Sequence, residues 1–230
     1  MRILLVGHGK MGRMVESLAP EYGCEVIGIV DPVAGGPGVD ADEWRHAEVA
    51  IDFSTADAVV TNVPVLARRG IAVVLGTTGW SSGEAALRRA IAESGSAIVA
   101  APNFSTGVVL FEAIVARAAE LFARQQDFAA FVHEIHHSAK KDAPSGTALL
   151  LERTMTGAGF TRRIDVASTR AGFVPGTHTV GFDGPAETIT LTHTARDRTA
   201  FARGALAAAK WVAGKRGWFT MKDVLGLGES

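Results

Sequence analysis

The chain has 230 residues, 47% of them hydrophobic and 20% charged, with a formal net charge of −1. That length supports one large domain or two small ones, and the absence of a basic excess or a block of like charge argues against nucleic-acid or membrane-surface partners. The lone cysteine, Cys24, excludes an internal disulfide framework and a multi-cysteine metal site, and no apolar run reaches membrane-spanning length. The first residues carry no signal-peptide pattern, so a cytoplasmic location is expected.

Arg2–Val6 (RILLV) reads as a short strand, and Gly7, Gly9 and Gly12 follow it at once as G-x-G-x-x-G. Met11, Met14, Val15 and Leu18 then recur at helical spacing up to Pro20. Residues 24–31, 47–54, 71–78 and 96–103 read as further strands, with helical patterns over 56–69 and 83–93. Strands alternating with helices predict a parallel sheet with helices on both faces.

Glycines also mark ordinary turns, but here a strand precedes them, a helix follows, and an acid closes the second strand. Such glycines let the backbone approach a pyrophosphate at a helix N-terminus. Asp31 lies 19 residues beyond Gly12, near the roughly 20 expected of a ribose-binding carboxylate. A carboxylate repels a 2′-phosphate, and no Arg or Lys stands between Asp31 and Arg45, which favours NADH over NADPH. Lys10 and Arg13 are within sequence reach of a phosphate, or are solvated surface charges. GTTGW (76–80) and APNFSTG (101–107) place small and hydroxyl residues just past strand ends, the edge where parallel sheets bind ligands.

After Phe104 the pattern changes. A long amphipathic helix (108–123) precedes an alternating strand (128–136), a second helix (147–156), and three short strands in RIDVASTR, THTVGFD and ETITLTHT. A final helix (199–213) leads into a short tail, GWFTMKDVLGL. The expected architecture is therefore α/β: a Rossmann-type parallel-sheet dinucleotide-binding domain plus an α+β substrate domain with a mixed sheet. Hinges near Phe104 and Arg198 would give a dinucleotide domain of 1–104, completed by 198–230, and a substrate-binding and oligomerisation domain of 105–197.

Within the second half, HHSAKKDAPSGTA (136–148) gathers proton-transfer groups and positive charge directly before a helix. Ser145 is placed to cap that helix, with Gly146 and Thr147 in its first turn, so uncommitted N–H groups would face an anion such as a substrate carboxylate. Lys140 and Lys141 add positive charge, Asp142 is placed to orient a lysine or cap the turn, and His136 and His137 are the candidates for proton transfer near neutrality. A metal site is the rival reading. Adjacent histidines are not a usual chelating pair, and Glu134 and Asp142 lack a ligand spacing, so no metal is expected. His8, His46, His133, His178 and His193 read as structural or surface histidines, and Arg170 and Arg198 as inter-strand or hinge contacts.

The segment EIHHSAKKDAPSGTA, with GTTG, PNFSTGV, RAGFVPGTHTVGF, ITLTHTARDRTAFARGA and MKDVLGL in the same order, resembles the dihydrodipicolinate (4-hydroxy-tetrahydrodipicolinate) reductase family over nearly the whole chain. The resemblance implies reduction of a cyclic imine dicarboxylate by NADH or NADPH with loss of water, in lysine and diaminopimelate biosynthesis. It implies His136 as acid/base and Lys140 as proton donor, where charge alone suggests only an electrostatic role for the lysine. His137, Ser145, Gly146 and Thr147 would bind the substrate. Gly7, His8, Gly9, Lys10, Met11, Gly12, Asp31, Gly76, Thr77, Thr78, Ala101, Pro102, Asn103 and Phe104 would line the cofactor. The family also implies a homotetramer built through the substrate-domain sheet. Trp80 and Pro102 depart from the residues usual there, and the glycine loop is one residue shorter than the longer family form. Another imine or amino-acid reductase, or a non-catalytic NAD(H)-sensing module, is the alternative.

Overall fold

The computed structural model describes residues 1–33 and 35–228. In chain order the strands are β1 (Arg2–Val6), β2 (Glu25–Val30), β3 (Val49–Asp52), β4 (Ala72–Leu75), β5 (Ala97–Ala100), β6 (Ala129–His136), β7 (Ile164–Arg170), β8 (Thr177–Asp183), β9 (Thr188–Thr194) and β10 (Gly217–Phe219). The helices are α1 (Lys10–Leu18), α2 (Ala56–Arg68), α3 (Glu84–Ser94), α4 (Thr106–Ala123), α5 (Gly146–Gly157), α6 (Thr199–Val212) and α7 (Met221–Val224). Two compact units result: residues 1–106 with the segment from Thr199 onward, and Gly107–Arg198.

The first unit holds a six-stranded sheet in the order β10-β5-β4-β3-β1-β2, parallel throughout. Ile3, Leu4, Leu5 and Val6 are at most 1% exposed. A run apolar at every position suits a strand covered on both faces, each such side chain contributing about 1.5–3 kcal/mol on burial. The order reverses between β1 and its neighbours β2 and β3. The glycine loop after β1 therefore opens at the crevice where doubly wound sheets bind ligands.

Two parts of this unit escape periodicity. A short 3-10 segment, Asp42–His46, carries Trp44, whose ring lies where a Cβ on Gly28 would sit. The short tail, given no element from its sequence, holds strand β10, paired in parallel with β5, followed by α7 and its Thr220–Asp223 capping box. Trp218 of β10 packs against Trp80 at 6.0 Å between centroids and lies under the Arg88 guanidinium. Three residues are too few to show a period of two.

The second unit holds a four-stranded mixed sheet in the order β7-β6-β8-β9, with β6 parallel to β7 and antiparallel to β8, and β8 antiparallel to β9. Alternation along β6 turns Ala130, Val132, Glu134 and His136 to the buried face. Ala130 and Val132 pack with Phe111, Val115, Leu151 and Met155 of α4 and α5. Towards the strand's C-terminal end the same face becomes ionisable, so the core runs directly into a polar cluster. The outer face of β8 and β9 carries threonine pairs, Thr177 with Thr194 and Thr179 with Thr192.

Candidate active site

In the first unit, Gly7 has φ +87° and Gly12 packs against its carbonyl, so both glycines are required by the turn itself. A Cβ on Gly7 would meet the Phe53 carbonyl at 2.6 Å, whereas one on Gly9 would meet nothing within 4 Å. Gly9 is the N-cap of α1 and offers no side-chain cap, leaving first-turn N–H groups facing that open side. This is the shape a pyrophosphate needs, and it fits a nicotinamide dinucleotide. A cavity of about 420 Å³ adjoins it, lined by Gly9, Lys10 and Met11, by Phe53 and Ser54, and by Gly76, Thr77 and Thr78.

Asp31 sits just past β2, its carboxylate accepting the His8 N–H at 2.6 Å and the Val33 N–H at 2.8 Å. It therefore braces the glycine loop from the side. The Arg13 Nε–H donates to the His8 carbonyl at 3.2 Å, and the His8 ring meets Glu16 at 2.7 Å. Ala101, Pro102, Asn103 and Phe104 follow β5 and are not among the cavity's lining residues. The Asn103 side-chain oxygen accepts the Ser105 N–H at 2.8 Å, and Phe104 is buried edge-on to Phe53.

Phe53 and Ser54 were not among the residues read from the sequence as lining the cofactor. They follow β3 as Gly76 to Thr78 follow β4, so the strand-end rule applied one strand earlier would have found them. Beneath them Asp52, fully buried, accepts from the Ser54 N–H, the Ser54 hydroxyl and the Thr77 hydroxyl at 2.7–2.9 Å. Burial raises its carboxyl above the ordinary range, against the opposing pull of those bonds.

In the second unit, His136 ends β6 and is 8% exposed. Its Nδ1 is in a short hydrogen bond with one oxygen of Glu134, two residues earlier on the same face. Both Glu134 oxygens also receive the Arg170 guanidinium, at 2.9 and 2.7 Å, and Glu134 Oε1 accepts the Ser145 N–H at 3.2 Å. Complete burial would raise the Glu134 carboxyl. The hydrogen bonds from Arg170, Ser168 and His136 outweigh it and bring the carboxyl down to about 2.

Ser145 caps α5, its hydroxyl accepting the Ala148 N–H at 3.2 Å and meeting His178 Nε2 at 3.0 Å. His178 pairs in register with Glu134 across β6 and β8, and its ring stands edge-on to His136 at 5.1 Å. Burial, then repulsion from His136, lowers the His178 imidazole to about 4, so it is neutral at physiological pH.

His137 is half-buried just beyond β6. In the loop, Lys140 is held by both oxygens of Asp142 at 2.8 Å, which lowers the Asp142 carboxyl. Arg170 also donates to the Asp142 carbonyl at 2.5 Å. Gly146 and Thr147 form the first turn of α5, and a Cβ on Gly146 would meet nothing within 4 Å. Gly176 faces His136: a Cβ there would lie 2.9 Å from Nε2, and its φ of +153° is itself a glycine conformation.

His178 is a buried structural histidine bonded to Ser145 and Arg170 an inter-strand contact, both as expected, and with Glu134 they join His136 in one cluster. Glu134, His136 and His178 offer ligand atoms within 4.8 Å of one another, a grouping that spacing along the chain hides because strand pairing creates it. Both Glu134 oxygens carry a guanidinium, the setting of a buried ion pair rather than of a cation ligand. Among the described residues, no helix is long and apolar enough to cross a membrane.

Comparison with known proteins agrees over both units. Residues 1–104 match the family description "Dihydrodipicolinate reductase, N-terminus", and residues 107–225 match "Dihydrodipicolinate reductase, C-terminus". The 4-hydroxy-tetrahydrodipicolinate reductase of Afipia carboxidovorans is 38% identical, covering 99% of this chain and 98% of its own. That of Christiangramia forsetii is 35% identical, covering 98% of each. Among solved structures, a dipicolinate-bound dihydrodipicolinate reductase from Paenisporosarcina sp. TG-14 superposes with a TM-score of 0.82 over 96% of this chain and 97% of that one, at 20% identity. The chain belongs to the dihydrodipicolinate reductase family.

Proposed function

We propose that this protein reduces 4-hydroxy-tetrahydrodipicolinate to tetrahydrodipicolinate with loss of water, in lysine and diaminopimelate biosynthesis. The observation that carries the reading is the buried histidine acid of the second unit, held by the same carboxylate that clamps a capped helix start. Family membership supplies the substrate class. A sensing module would have no use for such an acid.

The dinucleotide supplies the hydride when bound. Its pyrophosphate would lie on Gly7 to Gly12 and the α1 N-terminus, with Lys10 near the phosphates and Asp31 accepting the ribose hydroxyls. Gly76, Thr77 and Thr78, and Ala101 to Phe104 beside them, would complete the cofactor wall. Asp31 favours NADH over NADPH, because a 2′-phosphate beside a carboxylate is repelled.

As the imidazolium, His136 gives up its Nε2 proton to the departing substrate hydroxyl, while the Nδ1 proton stays in its hydrogen bond to Glu134. Loss of water also releases a ring C–H proton, and Lys140, kept in place by Asp142, is the donor that returns a proton to the ring once hydride has added. His137, Ser145, Gly146 and Thr147 hold the substrate carboxylates at the start of α5, where uncommitted N–H groups and the positive helix end favour an anion. On this reading residues 1–104 with 198–230 bind the dinucleotide and 105–197 bind substrate. The threonine-lined face of β8 and β9 supports assembly into a homo-oligomer, which sedimentation of the full chain would check. The cytoplasm is the expected compartment.

The test is oxidation of NADH and of NADPH, followed by nicotinamide absorbance, with substrate generated in place from pyruvate and aspartate semialdehyde by the preceding synthase. Rapid oxidation is expected, faster with NADH. Protein that binds NADH but oxidises neither cofactor would sink the reading.

A further inference from the structure

We propose that Glu134 is a positioning residue that sets both halves of the substrate site, fixing the tautomer of His136 with one oxygen and the first turn of α5 with the other. The inference rests on the reading of His136 as the acid.

Strand pairing assembles the unit. Glu134 and His136 share a face of β6, Arg170 pairs with His136 on β7, and His178 pairs with Glu134 on β8. The two Glu134 oxygens are not equivalent. Oε2 accepts from Arg170 and from His136 Nδ1, and Oε1 accepts from Arg170 and from the Ser145 N–H. An ionised carboxylate only accepts, so the neutral His136 ring must carry its proton on Nδ1 and leave Nε2 unprotonated. Nε2 is the nitrogen that takes up the catalytic proton and then gives it to the substrate.

Arg170 extends the same control to the loop. Its bond to the Asp142 carbonyl fixes the segment whose side chain grips Lys140. The acid, the lysine and the helix start therefore share one ion pair. A buried carboxylate–guanidinium pair is weak grounds for stability, because desolvation offsets most of its attraction, so orientation is the better account of its presence.

Substitution by glutamine makes a directional prediction. In Glu134→Gln the amide nitrogen must replace one oxygen and face its donors. At Oε1 it would oppose two donors, Arg170 and the Ser145 N–H. At Oε2 the only fixed donor it opposes is Arg170, since the Ser168 hydroxyl can rotate to accept instead, and it can donate to His136 Nδ1. The amide therefore turns its nitrogen to His136, and the ring flips to the Nε2–H tautomer.

The experiment is nitrogen NMR of the full-length protein labelled in histidine, at a pH where the His136 ring is neutral, with His136→Gln used to assign the signal. The wild type is expected to show the Nδ1–H form and Glu134→Gln the Nε2–H form. In turnover, Glu134→Gln should lose about 10²–10⁴-fold in kcat, the range seen when an orienting carboxylate elsewhere is replaced by its amide or a general acid is removed. Its KM for NADH should stay within about twofold, since the cofactor residues belong to the other unit. An Nε2–H ring in the wild type, an unchanged tautomer in the variant, or an unchanged kcat would each overturn the proposal. If Glu134→Gln does not fold, the wild-type tautomer alone decides it. Should the wild type turn over no cyclic imine dicarboxylate, the functional reading fails while the ring measurement still judges the positioning claim.

Discussion

The two units build their candidate sites by opposite means. In the first, the site is largely backbone: glycines that admit a close approach, first-turn N–H groups of α1, and small side chains at the ends of β3 and β4. In the second it is a buried network of ionisable side chains, Glu134, His136, Arg170 and His178, drawn from three strands of one sheet. A backbone cradle is tolerant of neighbouring side chains, because its donors belong to no residue type. A side-chain network is not, because removing one partner leaves another buried and unmatched.

Substitution can pull these two strategies apart. The largest effect is expected in His136→Gln, which should lower kcat by about 10²–10⁴-fold while NADH binding, read by fluorescence titration, is unchanged. Loss of NADH binding in that variant would mean that the units do not divide the labour as described. Asp31→Asn is the converse. It should leave the acid untouched and shift the NADPH-to-NADH ratio of kcat/KM by about tenfold, within the roughly 1–4 kcal/mol of a like-charge contact near a surface. An unchanged ratio would remove Asp31 from cofactor selection.

Ser145→Ala acts inside the network but spares the Ser145 N–H. It should cost about 1 kcal/mol of stability through the lost cap and raise the substrate KM several-fold with kcat nearly unchanged. A collapse of kcat instead would place the hydroxyl in the chemistry.

The smallest effect is one of pH. His178 titrates near 4 in the folded chain, against an ordinary value of 6.5. Between those values the unfolded chain takes up a proton that the folded chain refuses, so stability falls on acidification from 6.5 to 4. His178→Gln should make that fall shallower in thermal melts. His193, also lowered by burial, keeps a residual slope. An identical slope in both proteins would show that His178 is not held neutral.

The same contrast explains what could be read from the chain alone. The glycine loop, Asp31 and the strand–helix alternation are local patterns, and they appear in the structure where spacing put them. Ser145 was legible as a cap because caps are local too. His136 and Lys140 stood out because the loop is contiguous. Glu134, Arg170 and His178 lie up to 44 residues apart on β6, β7 and β8, and only register brings them together. Alternation placed Glu134 opposite His133, but nothing local says that an arginine on β7 waits for it. Strand β10 was missed for a different reason: at three residues, its identity comes entirely from the edge of β5.

Gly176 bears on how the proposed activity would be lost. Its missing side chain keeps open the space at His136 Nε2, and it lies 40 residues from the histidine it protects. A gene copy that preserved the whole His136–Ala148 segment but gained a methyl group at 176 would retain the family signature with the proposed acid blocked at Nε2. Sorting active members from retired ones by the histidine segment alone would therefore overcount. The glycine before β8 is the residue to inspect first when a lineage is suspected of having turned such a protein to another use.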